Sequence, residues 1–186
     1  MSESMSGRLL IASPYLSDPN FMRTVVLIVN HDDEGAFGVT LTRPTDKRLS
    51  EIVELSLPVG QVRSDDLIFE GGPVEGPLLA IHDLSGIGAP VGEQNAGLWL
   101  TGDDDHLRIL LQRTDARVRF IAQYSGWGPG QLEMEMRTGG WLVGAADCDV
   151  VFADPEKTWE AAVKRCGHAI LSSISPGLQF SDPSVN

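Results

Sequence analysis

The run Thr24–Val29, TVVLIV, constrains this chain more than any other segment. It is continuous, apolar and rich in β-branched residues, the pattern of a strand buried on both faces. A polar stretch, Asn30-His31-Asp32-Asp33-Glu34-Gly35, follows it. Phe37, Val39 and Leu41 then alternate with Gly38, Thr40 and Thr42. That alternation predicts a half-buried strand, and the two strands together predict a hairpin. Asp18-Pro19-Asn20 ahead of the hairpin is turn chemistry, and Arg43-Pro44 ends it. Leu9–Ala12, stopped by Ser13-Pro14, predicts one more strand.

Further strands are expected at Leu67–Phe69, Leu78–Ile81, Leu98–Leu100, Trp141–Val143 and Val150–Phe152. Val118, Phe120, Ala122 and Tyr124 are expected on one face of another strand, with Arg117, Arg119 and Gln123 on the other. The glycine-rich residues 84–95 are expected to form an exposed loop. Asp103-Asp104-Asp105 precedes Leu107, Leu110 and Leu111, an acidic cap before a helical spacing. A short helix is possible over Leu49–Leu55, and another is expected over Gln131–Arg137. The strongest helix starts at Asp154-Pro155, carries Trp159, Ala162, Val163 and Cys166 on one face, and can end at Gly167. Hairpins come first and strand–helix alternation later, with no repeat or linker. The economical fold class is α+β, an α/β sandwich with a mixed β-sheet flanked by helices. One domain over residues 1–186 is expected, with loose tails at 1–6 and about 175–186.

Charge narrows the function. The chain of 186 residues has 26 acidic against 14 basic side chains, a net charge of −12. Nucleic acid rewards Lys and Arg placed on phosphates, so it is a poor partner, and anionic membranes are disfavoured for the same reason. No segment reaches the roughly 18 apolar residues of a membrane span. Cys148 and Cys166 form no CxxC pair, which fits a cytoplasmic, reducing location.

No residue set points to catalysis, a cofactor or a metal. His31-Asp32-Asp33-Glu34 has neither HExxH nor EF-hand spacing and reads as a solvated hairpin tip. No serine sits in a G-x-S-x-G elbow. Cys166 lies on an apolar helix face, and Cys148 lies between two aspartates that disfavour a thiolate. His82 has no identified partner and reads as structural. Arg108, Arg113, Arg117 and Arg119 read as a solvated face rather than a nucleic-acid patch. Gly126-Trp127-Gly128-Pro129-Gly130 could aim N–H groups at a phosphate. Its sixth position is Gln131, however, and Pro129 removes a donor, so a structural turn anchored by Trp127 is preferred. Arg23, Arg43 and Arg63 stand near turns, where a guanidinium either pins carbonyls or holds an anion.

Several segments together resemble one family. They are the opening G-x-L-L-I-A-x-P-x-L-x-D-P-N-F-x-R-T-V-V-L-I (Gly7–Ile28), then His31, Glu34-Gly35-Ala36, Gly38 and Arg43-Pro44. Gly71-Gly72-Pro73-Val74, Tyr124, the block Gly126–Glu133 and Trp141 complete the pattern. It is similar to the AlgH/YqgE family of bacterial proteins, often labelled as transcriptional regulators, and it covers about residues 7–165. The family usually has Asn before Arg-Pro where this chain has Thr42, which puts in doubt any role needing an amide there. The resemblance implies a compact α/β sandwich and carries over no catalytic set.

The expected function is a cytoplasmic binding or regulatory protein acting indirectly through a protein partner. Its expected surface is Phe21, Arg23, Arg43, Tyr124, Trp127 and Gln131. The alternative is an enzyme or sensor of a small anionic ligand held by Arg23 or Arg43. Direct DNA binding is the least favoured reading.

Overall fold

The computed structural model describes residues 4–52, 63–92 and 96–174, with side chains to residue 168. The expected tail from 175, and the end of the expected helix at 49–55, lie outside the described residues.

Two sheets stack face to face. The first has the order β10-β3-β2-β1-β11 and is wholly antiparallel. Its strands are β1 (Arg8–Ala12), β2 (Val25–Asp32), β3 (Gly35–Thr40), β10 (Ser125–Trp127) and β11 (Trp141–Ala145). The second has the order β4-β5-β9-β6-β8-β7. Its strands are β4 (Pro44–Arg48), β5 (Leu67–Glu70), β6 (Leu79–His82), β7 (Ala89–Pro90), β8 (Trp99–Thr101) and β9 (Val118–Ala122). This sheet is mixed, because β5 pairs with β9 in parallel. The α+β class therefore holds, with an antiparallel sheet standing beside the mixed one.

The run Thr24–Val29 is buried on both faces through Ile28 as expected, and the core divides into three layers around the two sheets. Leu9, Ile11, Val25, Leu27, Val39 and Leu41 meet Leu79, Ile81 and Ile121 between the sheets. On the outer face of the first sheet, Leu10, Ala12, Val26 and Ile28 are covered by Trp127, Trp141 and Leu132. Leu132 belongs to α3 (Gln131–Arg137). On the outer face of the second sheet, Ile68, Ala80 and Phe120 are covered by Leu107, Leu110 and Leu111. These leucines line α2 (Asp104–Leu111), which Asp103 caps by accepting from the Asp105 and His106 N–H groups. Two short helices, α1 (Leu49–Ile52) and α4 (Cys148–Val151), and the long α5 (Pro155–Ile174) complete the fold.

Five expectations are corrected. The hairpin's second strand is buried on both faces: Gly38, lacking a Cβ, lets Val26 and Ile28 close against it. Residues 150–152 are helix and its cap rather than strand, because Asp147 accepts from the Val150 N–H and starts a helical turn. The long helix does not stop at Gly167 but runs on to Ile174. The 84–95 loop contains β7, and Val91 is buried in the inter-sheet core. Residues 4–6 are not a loose tail: Ser4 donates to the His31 carbonyl and Ser6 accepts from the His31 N–H.

Alternation also breaks at Gln123, whose φ is +66°. The chain leaves β9 in one sheet there and enters β10 in the other. Tyr124 is thereby turned into the inter-sheet core, away from the outer face that Val118 and Phe120 share.

Candidate functional site

The segment 13–24 crosses from β1 to β2 over the outer face of the first sheet. The Asp18-Pro19-Asn20 turn forms as its chemistry dictates. The Asp18 carboxylate accepts from the Asn20 N–H, and its carbonyl accepts from Phe21 and Met22. Arg23 then takes a left-handed φ of +56°, and Thr24 closes the loop by donating to the Phe21 carbonyl.

Phe21 is the loop's anchor. Its ring stacks on Trp127 at 5.7 Å and meets Trp141 edge-on at 5.4 Å. The two indoles come from the two edge strands of the sheet and meet at 6.3 Å. Both point their N–H groups at one oxygen of Glu135 on α3, at 3.0 Å from Trp127 and 2.9 Å from Trp141. Gln131 donates to the other carboxylate oxygen at 3.0 Å and accepts from the Gly128 N–H. One carboxylate thus fixes both tryptophans and the first turn of α3.

The arginines fasten the rim. Arg43 donates to the Pro19 carbonyl at 2.8 Å and has Glu70 at 3.8 Å. Arg23 lies over the Trp159 ring at 4.7 Å and pairs with Glu160 at 3.0 Å. Thr42 accepts from the Val25 N–H with its hydroxyl, so this chain fills the family's usual Asn position with a backbone hydrogen bond.

Of the six expected surface residues, Phe21, Arg23, Arg43, Trp127 and Gln131 gather around this loop. Tyr124 does not: it packs on Phe37 at 5.2 Å between the sheets. Trp127 is only 5 % exposed and forms part of the floor. The exposed apolar groups here are Tyr15 (94 %) and Met22 on the loop and Met134 (61 %) on α3. Sequence reasoning missed Glu135 and these three. The i,i+4 pair Gln131 and Glu135 on one helix face was a legible signal; the meeting of Trp127 with Trp141 was not.

The remaining candidates resolve into structure. The donors of the 126–130 turn are partly used within it, Gly128 giving its N–H to Gln131, while Gln131 gives its own to the Gly128 carbonyl. The hairpin tip is solvated only at Asp32, Asp33 and Glu34. His31 is buried, its Nδ1 accepting from the Met5 N–H and its Nε2 lying 3.0 Å from Glu133. An accepting Nδ1 puts the proton on Nε2, which donates to the carboxylate.

His82 is fully buried, and neither ring nitrogen has a hydrogen-bond partner among the described residues. Burial pushes its pKa down. Burial likewise raises the Cys148 and Cys166 thiols, so neither is activated. Arg108, Arg113 and Arg117 pair with Asp105, Asp115 and Asp83. Arg119, expected on the solvated face, is buried instead, because its face of β9 turns toward the other sheet. Among the described residues no group of three or more His, Cys, Asp or Glu is placed to hold a metal ion. No helix among them is long and apolar enough to cross a membrane.

The chain is similar to known proteins over most of its length. The AlgH-like family model, DUF179, matches residues 9–171. A UPF0301 protein of Streptomyces avermitilis is 38 % identical over 191 residues, covering 98 % of this chain and 96 % of its own. One from Ruegeria pomeroyi is 37 % identical over 181 residues, covering 93 % and 98 %. The solution structure of the AlgH protein from Pseudomonas aeruginosa is similar with a TM-score of 0.71 and 27 % identity, over 97 % of this chain and 99 % of that one. A crystal structure of a Corynebacterium diphtheriae protein shares the fold at a TM-score of 0.69 and 22 % identity, over 89 % and 88 %.

Proposed function

The chain belongs to the AlgH-like family, and from that premise we propose that it is a cytoplasmic binding and regulatory protein that works through a protein partner. The docking face is the 13–24 loop with α3. One observation carries this reading: Tyr15, Met22 and Met134 are exposed on a loop and a helix whose undersides pack into one aromatic cluster. Large exposed apolar side chains on a preorganised base are what protein interfaces use, since little ordering entropy is lost on binding. Arg23 adds an exposed guanidinium to the rim, and Arg is enriched at such sites.

Regulation through a partner suits the chemistry better than direct contact with DNA. The net charge is −12, and Arg108, Arg113 and Arg117 are each engaged by an aspartate. Two free cysteines support a reducing location.

Affinity capture tests the reading. Wild type is compared with a Tyr15→Ser, Met22→Ser, Met134→Ser variant whose melting temperature matches it. The partner bound by wild type should be lost from the variant. An identical set of captured proteins overturns the proposed face. Trp127→Ala is a poor probe, because it removes a core side chain and confuses unfolding with lost contact.

A further inference from the structure

Among the described residues, Arg119 is a buried cation without an anion. It lies on β9, 7 % exposed, in a chain where acids outnumber bases by 26 to 14. One of its nitrogens donates to the Leu41 carbonyl at 2.7 Å and another to the Ala153 carbonyl at 2.9 Å. The guanidinium plane covers the Phe69 ring at 4.3 Å. A guanidinium has five N–H donors, so about three remain unused. No carboxylate among the described residues lies within 4.0 Å of it. Burial alone pushes its pKa down to about 10, so it stays charged at neutral pH. A buried charge is costly unless something of opposite sign meets it.

Arg119 lines a cleft of about 480 Å³, open to solvent. Phe69 and Phe152 form apolar walls, and Arg63 and Arg117 stand beside them. These two are already neutralised. Arg63 holds Asp66 at 2.8 Å and donates to the Arg113 and Ala116 carbonyls. Arg117 holds Asp83 at 2.7 Å and Asp149 at 3.0 Å and covers the Phe152 ring. Arg63 and Arg117 are held by Asp66, Asp83 and Asp149, so the cleft carries no excess positive charge and any attraction for an anion is local to the Arg119 guanidinium. Among the described residues of the cleft, Arg119 is the cation without a carboxylate partner; it suits a single negative charge, and the planar fork of Arg suits a carboxylate.

The geometry points to this cleft as a binding site for a small monocarboxylate, its charge on the spare N–H donors of Arg119 and its apolar body against Phe69 and Phe152. The site is independent of the partner-binding face and stands or falls without it. It would make the protein responsive to an organic acid, with Arg119 joining that ligand to both sheets through Leu41 and the end of α4.

The experiment uses the full chain labelled with 15N and titrated with benzoate at neutral pH, with inorganic phosphate at equal ionic strength as the second arm. Benzoate at about 10 mM should give saturable shifts at the Arg119 side-chain N–H and at the Phe69 and Phe152 amides. It should also raise the melting temperature, and phosphate should do neither. Arg119→Met should weaken benzoate at least about tenfold, and Arg23→Ala should leave it unchanged. If the Arg119 variant does not fold, the map on wild type decides alone. Absence of saturable shifts, shifts confined to other residues, or equal binding of phosphate overturns the assignment.

Discussion

Glu135 accepts from two tryptophans and a glutamine, so three side chains depend on one carboxylate. Glu135→Ala leaves two nearly buried indole N–H groups without partners, each costing about 1–3 kcal/mol. The expected loss is about 3 kcal/mol in urea unfolding, larger than for Glu135→Gln, which keeps an acceptor. His82 is the opposite case, a buried ring whose nitrogens make no well-formed hydrogen bond among the described residues, with the Leu84 backbone near enough to favour its charged form. Its pKa is pushed below the ordinary 6.5 by burial, so the unfolded chain takes up the proton first as pH falls. Stability is therefore lost as pH drops from 6.5 toward the lowered native value. His82→Leu should remove that slope and be neutral or stabilising by about 1 kcal/mol at pH 7. A urea series across this range measures both. At this scale the sequence identified residue types better than partners. Asp103 as a cap was legible, because it depends on neighbours within a turn; Cys166, expected to be buried, is only partly so. The burial of Arg119 was not, since it depends on Leu41 and Ala153, far away in the chain.

At the scale of elements, the helix starts show how local chemistry decides. Asp103 caps α2, and the bond from the His106 N–H holds its carboxyl below the usual range. That contribution is complete above the ordinary pKa of 3.8 and is lost as pH falls through the lowered native value. Asp103→Ala should lower the melting temperature at pH 7 and flatten the acid limb of its pH dependence. Asp147 caps α4 in the same way, although the apolar run Val150–Phe152 suggests a strand. Four residues are too few for periodicity to separate the two, and the cap decides. Gly35 marks another local decision. With φ at +133°, it lets β3 begin against the Trp127 carbonyl, where a Cβ would collide.

The whole molecule carries a charge of −12, with all three arginines of the 108–117 stretch engaged by aspartates. Duplex DNA should not be retained in a gel shift even at about 50 mM salt, the condition that most favours phosphate contacts. Retention there would reopen the direct route to transcription. The α+β class, the central hairpin, the Asp18 turn and the helices that start at Asp103 and Asp154 followed from the sequence alone, because propensity, period and capping act over a few residues. The gathering of Phe21, Trp127 and Trp141 on one carboxylate was decided by the tertiary structure. So were the division into two sheets, the turning of Tyr124 away from the loop and the isolation of Arg119 in its cleft. Each joins residues brought close only when both sheets close over a shared core, and no local periodicity encodes that distance.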